Sequence, residues 1–123
     1  MIRAWLFAAA ITGFLSVAGG ALAAHLPGDG RSAELLRTGG LYGMVHAAAL
    51  VAVSAIACTR DRREYALIVA GWGFAVGMTV FSLSLFGLAL TGIAWLGLVT
   101  PFGGVGLLAG WAALGLYAVR RER

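Results

Sequence analysis

The stretch YALIVAGWGFAVGMTVFSLSLFGLAL, residues 65–90, decides the class of fold. It runs for 26 residues without a charged side chain. As a helix rising ~1.5 Å per residue it is about 39 Å long, enough to cross the roughly 30 Å hydrocarbon core of a bilayer. Lipid offers no water to the backbone N–H and C=O groups, so a helix must pair them internally. We therefore predict a transmembrane helix here.

The rest of the chain has the same apolar character. Of its 123 residues, 61% are apolar and 11% are charged, and the mean hydropathy is +0.93. A soluble domain carries roughly 25% charged residues, so the composition excludes a soluble core, a disordered chain and a disulfide scaffold. The single cysteine, Cys58, has no partner for an internal disulfide. The bilayer is the expected partner of the whole chain.

Apolar runs separated by polar segments predict one integral membrane domain over residues 1–123. The predicted spans cover about residues 4–24, 41–58, 65–90 and 94–119, with residue 39 as an alternative start of the second. Ser32 is predicted to cap a separate interfacial turn ending at Arg37. Ala21-Leu22-Ala23 imitates the cleavage site of a secretory signal, and a cleaved form would have three spans. We expect four spans, in an all-α, antiparallel up-down four-helix bundle.

The distribution of arginine predicts the orientation. All nine basic residues are arginine, and the net charge is +4. If successive helices alternate in direction, the side that holds both termini also holds Arg3, Arg60, Arg62, Arg63, Arg120, Arg121 and Arg123. The other side holds Arg31 and Arg37, so both termini are predicted to be cytoplasmic. Because the charges flank apolar spans, we interpret them as membrane anchors and expect no nucleic acid. Trp5 and Trp95 are predicted at opposite interfaces.

Small residues recur at helical spacing in every predicted span. The four stripes are Ala8, Thr12, Ser16, Gly20 and Ala24; Gly39, Gly43 and Ala47; Gly73 and Gly77; and Gly106 and Gly110. Small side chains allow helices to approach closely, which favours packing in lipid. The stripes therefore predict either internal packing of the bundle or an interface with a second copy or another membrane protein. Pro101, Gly103 and Gly104 predict a kink that packs on the third span or opens a small pocket.

Several local patterns occur in a fixed order. They are Gly20-Ala21-Leu22-Ala23-Ala24-His25, Tyr42 with His46, Phe81-Ser82-Leu83-Ser84-Leu85, and Thr100-Pro101-Phe102-Gly103-Gly104 followed by Ala109-Gly110-Trp111. Together they resemble the YgdD-like family, a domain of unknown function (family number 423) found in small bacterial inner-membrane proteins. The resemblance covers nearly the whole chain and implies four helices and an inner-membrane location, but no activity. Where the family commonly has Gln this chain has Gly43, which puts any role of that amide in question.

His46 is the clearest titratable group inside a predicted span, and Tyr42 lies one turn before it on the same face. Ionisable groups are expensive to place in lipid, which makes them functional candidates. The helical rise places His46, Ser82 and Thr100 in the same outer half of the membrane. The predicted hydrogen-bonded cluster consists of Tyr42, His46, Ser82, Ser84, Thr100 and the carbonyl groups freed by Pro101. His25, at the outer end of the first span, is a further candidate ligand.

Three functions compete at this point. The first is a non-enzymatic accessory or assembly protein that packs through its small-residue faces, and we expect this one. The second is a small transporter or binding protein for a lipophilic molecule, using the outer polar cluster. The third is a haem or redox role for His46 and His25, although their depths differ by roughly 10 Å along the helix axis. We expect no catalytic residue, metal or cofactor.

Overall fold

The computed structural model describes residues 1–26 and 30–121. It contains four α-helices, α1 (Ile2–His25), α2 (Arg31–Cys58), α3 (Tyr65–Thr91) and α4 (Leu96–Arg121), and no strand within the described residues. Each helix is long and apolar enough to cross a membrane. The all-helical class is thereby confirmed, with four helices that could each be a span. Arg123, counted above with the basic tail, lies outside the described residues.

The second helix begins at residue 31 rather than at 41. Gly30 is its N-cap and Ser32 lies within the helix, so the prediction of a separate turn capped by Ser32 is wrong. Arginine, alanine, glutamate and leucine in this segment all favour helix despite their mixed polarity. Gly39 and Gly40 do not interrupt it because both are buried against neighbouring helices.

The length of α2 exceeds the thickness of the hydrocarbon layer. Its 28 residues extend about 42 Å at ~1.5 Å per residue, against a core of roughly 30 Å. Glu34 and Arg37 lie in its first two turns and are exposed. The charged beginning of α2 can therefore reach the headgroup region while the rest of the helix spans the lipid.

The connection between α3 and α4 is short. α3 ends at Thr91, and Gly92 follows with a left-handed φ of 70°, its N–H bonded to the Leu88 carbonyl at 2.9 Å. A residue with a Cβ is strained in this conformation, which explains glycine at the helix end. Residues 92–95 alone connect the two helices.

α3 is the central helix of the bundle. It packs against all three other helices, whereas α4 packs mainly against α3, and α1 packs mainly against α2. One end of the bundle, called here the arginine-rich end, gathers Met1, the 60–64 segment, Arg120 and Arg121 around two adjoining clefts. Arg31 and Gly92 lie together at the opposite end.

The helices α3 and α4 meet backbone to backbone through glycine. A Cβ at Gly77 would lie 2.7 Å from the backbone nitrogen of Leu107 and 2.9 Å from the carbonyl oxygen of Gly103. A Cβ at Gly73 would lie 2.9 Å from the carbonyl oxygen of Gly106. These distances are too short for any side chain, so the two stripes pack against each other inside the chain.

A second glycine-lined junction joins α1, α2 and α3. The Phe86 ring of α3 enters between α1 and α2, where a Cβ at Gly19 or at Gly39 would lie 2.9 Å from it. One turn further along α2, the position of Gly43 adjoins the side chain of Ser16 in α1. The predicted stripe of α2 is therefore also internal.

The buried face of α1 differs in part from the predicted stripe. It consists of Trp5, Ala9, Thr12, Ser16, Gly19 and Ala23. A strict spacing of four residues drifts by about 40° per step around a helix with 3.6 residues per turn, so a straight face needs steps of three as well as four. Thr12 and Ser16 are buried as predicted, but Ala24 is exposed and the Cβ position of Gly20 is open.

Trp5 lies near the beginning of α1, and its side chain faces the inside of the bundle. Its place at a membrane interface stays a prediction. Its side chain is completely buried against Gly71 of α3, where the missing Cβ leaves room for the indole. It meets Trp72 edge to face, with ring centroids 6.2 Å apart. Trp95, in the connection between α3 and α4, is exposed.

Replacing Gly77 with alanine tests the backbone contact between α3 and α4. We expect Gly77→Ala to lower the free energy of unfolding by about 1–3 kcal/mol, because the added Cβ overpacks the junction. Gly115→Ala in α4 is the matched control, since nothing lies within 4 Å of its Cβ position. Reversible unfolding in detergent measures both. Equal stability of the two variants would contradict the tight contact.

Candidate functional site

A groove lies between α2 and α4, with α3 as its floor. It arises because α2 and α4 both pack on α3 but approach each other little along their backbones. The groove encloses a cavity of about 480 Å³. Its main lining residues are Tyr42 and His46 of α2, Phe81 of α3, and Pro101, Gly104, Leu108 and Trp111 of α4.

His46 uses both of its ring nitrogens in this groove. Its Nδ1 lies 2.7 Å from the Tyr42 carbonyl oxygen, and the Nε1–H of Trp111 lies 3.0 Å from its Nε2. An indole nitrogen can only donate, so Nε2 must be the unprotonated acceptor. Nδ1 then carries the proton and donates it to the Tyr42 carbonyl group. The two bonds specify one tautomer of a neutral imidazole, and the second bond links α2 to α4.

Aromatic rings surround the histidine. Tyr42 is nearly parallel to His46 at a centroid distance of 6.0 Å and contacts Phe81 at 4.7 Å. On the other side, Phe74 meets Trp111 edge to face at 4.9 Å. His46 is only 6% exposed, whereas Tyr42 is 43% and Trp111 is 46% exposed. The polar pair therefore lies within an apolar wall whose outer rings face the lipid.

The structure does not bring the predicted polar residues into one network. Ser82 donates to the Gly39 carbonyl oxygen at 2.8 Å and links α3 to α2. The hydroxyl groups of Ser84 and Thr100 lie 2.7 Å apart and link α3 to α4. His25 is exposed at the end of α1. The expected single cluster is replaced by separate contacts, of which the histidine pair lines the groove.

Helix geometry explains this separation. Ser82 and Ser84 are two positions apart, which is about 200° around a helix. One must face α2 when the other faces α4. A similar depth in the membrane was therefore not enough to bring the hydroxyl groups of Ser82 and Ser84 into one site.

Pro101 lies within α4 and at the rim of the groove. Proline has no N–H to donate to the carbonyl group four residues earlier, yet the helix runs from Leu96 to Arg121. Gly103 packs against α3 at Phe81, whereas Gly104 faces the groove. The segment therefore packs closely on α3 and also lines a pocket, while the predicted kink at Pro101 stays a prediction.

Trp111 was missed as a partner of His46. In the sequence it stood out only as the last residue of the pattern Ala109-Gly110-Trp111. The signal that could have found it is chemical, because a neutral histidine offers an acceptor in the span and an indole in lipid needs one. The sequence of either helix alone does not predict that α2 and α4 face each other across the groove.

The histidine has no spare lone pair in this arrangement. Ligation of a metal or a haem iron by Nε2 would require Trp111 to give up its hydrogen bond. Within residues 1–26 and 30–121, no group of three His, Cys, Asp or Glu side chains is placed to hold a metal ion. A haem iron needs only one or two axial ligands, so the haem or redox role of His46 and His25 stays a prediction.

Comparison with known proteins gives the family. The model of a family described as "Protein of unknown function (DUF423)" matches residues 19–104. The chain belongs to the DUF423 family. This confirms the resemblance drawn from the ordered patterns, and the matched region holds Tyr42, His46, Phe81 and Pro101 of the groove.

Relatives of this DUF423 chain align along nearly its whole length. "UPF0382 inner membrane protein YgdD" of Escherichia coli (strain K12) is 38% identical over 130 residues, covering 98% of this chain and 93% of that protein. "UPF0382 membrane protein YwdK" of Bacillus subtilis (strain 168) is 33% identical, covering 97% and 98%. A "UPF0382 membrane protein" of Haemophilus influenzae is 35% identical, covering 93% and 92%. No solved structure matches the chain.

A double-mutant cycle measures the hydrogen bond between His46 and Trp111. We expect His46→Leu and Trp111→Phe to show a coupling of about 0.5–1.5 kcal/mol in the free energy of unfolding, the range for polar bonds between membrane helices. Each single variant leaves the other partner without its bond. Trp72→Phe combined with His46→Leu is the control, with an expected coupling near zero. A coupling for Trp111 no larger than the control would show that the bond does not hold α4 to α2.

Proposed function

We propose that this chain is a non-enzymatic membrane protein that binds a lipophilic small molecule in the groove between α2 and α4. The observation that carries this proposal is the hydrogen-bonded pair of His46 and Trp111 in the wall of an otherwise apolar, aromatic groove. Binding sites for small molecules commonly combine an apolar lining with a few placed polar groups. The cavity of about 480 Å³ is within the usual range for such sites.

The surroundings of the groove support entry from the bilayer. Tyr42 and Trp111 are both almost half exposed on its outer side, so an apolar molecule could reach the cavity without crossing water. Phe81 forms part of the floor and offers a ring face to a flat or chain-like ligand. A ligand with a hydrogen-bonding group would have to replace one partner of this pair, because His46 and Trp111 have no other donor or acceptor free.

Binding is better supported than proton-coupled export. Small four-span multidrug exporters, which this chain resembles in length, use an acidic residue in their first span. The α1 helix, Ile2–His25, contains no aspartate or glutamate. The proposal therefore assigns the groove a receptor or carrier role rather than a proton-driven one.

Our second proposal is assembly with another protein through small-residue helix faces. Fewer residues support it than the sequence suggested. Most of the glycines on which it relied lie between the chain's own helices. Gly20 differs, because nothing lies within 4 Å of its Cβ position. The open face of α1 around Gly20 is where a second copy or a partner helix could pack closely.

We further propose an antiparallel up-down arrangement in the bacterial inner membrane, with both termini in the cytoplasm. The grouping of Met1 and the 60–64 segment with Arg120 and Arg121 at one end supports it, because positively charged loops remain cytoplasmic. The E. coli relative carries the words inner membrane protein in its name. That likeness supports the same membrane here.

A hydrophobic photolabel tests the groove. With the full chain in lipid vesicles, we expect an uncharged phenyl diazirine to label Tyr42 and Trp111 saturably, and excess 4-octylphenol to compete. Gly104→Leu fills the groove and should weaken saturable labelling roughly tenfold, or about 1.4 kcal/mol. Gly115→Leu, on the open side of the same helix, is the matched control. Labelling that is uniform along all lipid-facing positions, without competition, would overturn the binding proposal.

The native cysteine tests the orientation. Cys58 is exposed at the end of α2, next to the arginine-rich end. We expect a membrane-impermeant maleimide to label it in inverted inner-membrane vesicles but not in intact spheroplasts. A Cys58→Ser, Trp95→Cys double variant is the control and should give the reverse pattern. Labelling of Cys58 in intact spheroplasts would place both termini outside.

A further inference from the structure

One of the two clefts at the arginine-rich end lies between the beginning of α3 and the end of α4. Its volume is about 350 Å³. The side chains that matter in its lining are Arg63, Glu64, Tyr65, Tyr117, Arg120 and Arg121. It is separate from the groove, and the orientation proposed above uses only the positive charge of its arginines.

We propose that this cleft binds a phosphate group, carried by a membrane phospholipid or present as free phosphate. Three guanidinium groups line the cleft against one carboxylate, so it holds an excess of two positive charges. Arginine presents a planar fork of N–H donors that matches the oxygens of a phosphate. Glu64 is the acidic side chain that a bound anion would have to avoid.

The beginning of α3 adds donors that do not depend on side chains. Glu64 is the N-cap of the helix, and its side chain makes no capping hydrogen bond. The first hydrogen bond of α3 runs from the N–H of Ile68 to the carbonyl oxygen of Glu64. The amide groups of Tyr65 and Ala66 precede that bond and lie beside the cleft. Free amides and the positive end of the helix dipole both favour an anion.

The hydroxyl group of Tyr117 is a third, independent observation. Tyr117 lines the cleft and is only 8% exposed, and its buried hydroxyl has no hydrogen-bond partner among the described residues. Buried polar groups rarely remain without a partner. Arg121 lies over the ring of Tyr117, 6.0 Å from its centroid. This hydroxyl group is closed to solvent, so it could donate to a phosphate oxygen only if Arg121 moved off the ring and opened it to the cleft.

The position of the cleft suits a lipid headgroup. It lies at the helix ends, at the level where α3 enters and α4 leaves the predicted hydrocarbon layer. A phospholipid could place its acyl chains along the exposed sides of α3 and α4 while its phosphate occupies the cleft. Free phosphate would reach the same groups from the aqueous side.

Native mass spectrometry of the full chain, released from mild detergent, tests the site. The probes are phosphatidylglycerol, a diacylglycerol with the same acyl chains and no phosphate, and inorganic phosphate as competitor. We expect phosphatidylglycerol to be retained about tenfold more tightly than diacylglycerol. Displacement by inorganic phosphate would assign the site to free phosphate, and resistance to it would assign the site to the lipid. Equal retention of the two lipids would overturn the proposal.

Two double substitutions of arginine distinguish a specific phosphate site from general attraction of an anionic lipid to a positively charged surface. Arg63→Gln with Arg120→Gln removes two charges from the cleft and should weaken phosphatidylglycerol binding about tenfold. Arg60→Gln with Arg62→Gln removes two charges from the adjoining cleft and should change it less than about twofold. Equal loss in both would show an adventitious surface effect and overturn the site.

Tyr117→Phe keeps the test decisive if the arginine variants fail to fold. It removes one oxygen atom from a side chain that packs in the core. We expect several-fold weaker retention of phosphatidylglycerol with unchanged retention of diacylglycerol. Unchanged retention of both would show that the hydroxyl group does not bind phosphate.

Discussion

The close approach of α3 and α4 is the constraint on which the rest of the structure depends. Lipid tails are as apolar as the helices, so the hydrophobic effect does not press one helix on another inside a bilayer. Dispersion contacts must provide the attraction, and they need short distances. Gly73 and Gly77 of α3 provide them, because the backbone of α4 occupies the space that a side chain would fill.

This contact also creates the groove. Because α4 packs closely on α3, its backbone stays away from that of α2 on the same side of α3. Large side chains extend into the space between α2 and α4. His46 and Trp111 meet there, and the indole N–H donates to the imidazole within the apolar wall of the groove. The same bond stabilises the fold and places a polar pair in the wall of the cavity, so packing and binding depend on the same residues.

The two proposed sites lie at different levels of the molecule and use different chemistry. The groove is apolar, opens toward lipid, and holds one neutral polar pair. The cleft formed by Arg63, Tyr117 and Arg120 is polar and lies at a helix end. A chain of 123 residues can carry both because its helices extend beyond the hydrocarbon layer, which leaves charged turns for contacts with headgroups.

The class of protein and the number of spans could be predicted from sequence because apolar runs such as residues 65–90 are local signals, and the family could be predicted from the order of its short motifs. The sequence also marked Gly73, Gly77 and His46 as special positions. Only the tertiary structure decided that Gly19 rather than Gly20 faces inward, that Trp5 is buried, that Ser82 and Ser84 serve different helices, and that Trp111 is the partner of His46. Those outcomes depend on how each helix is rotated about its axis and which neighbour it meets. In a chain this uniformly apolar, the hydrophobic pattern scarcely distinguishes one face of a helix from another.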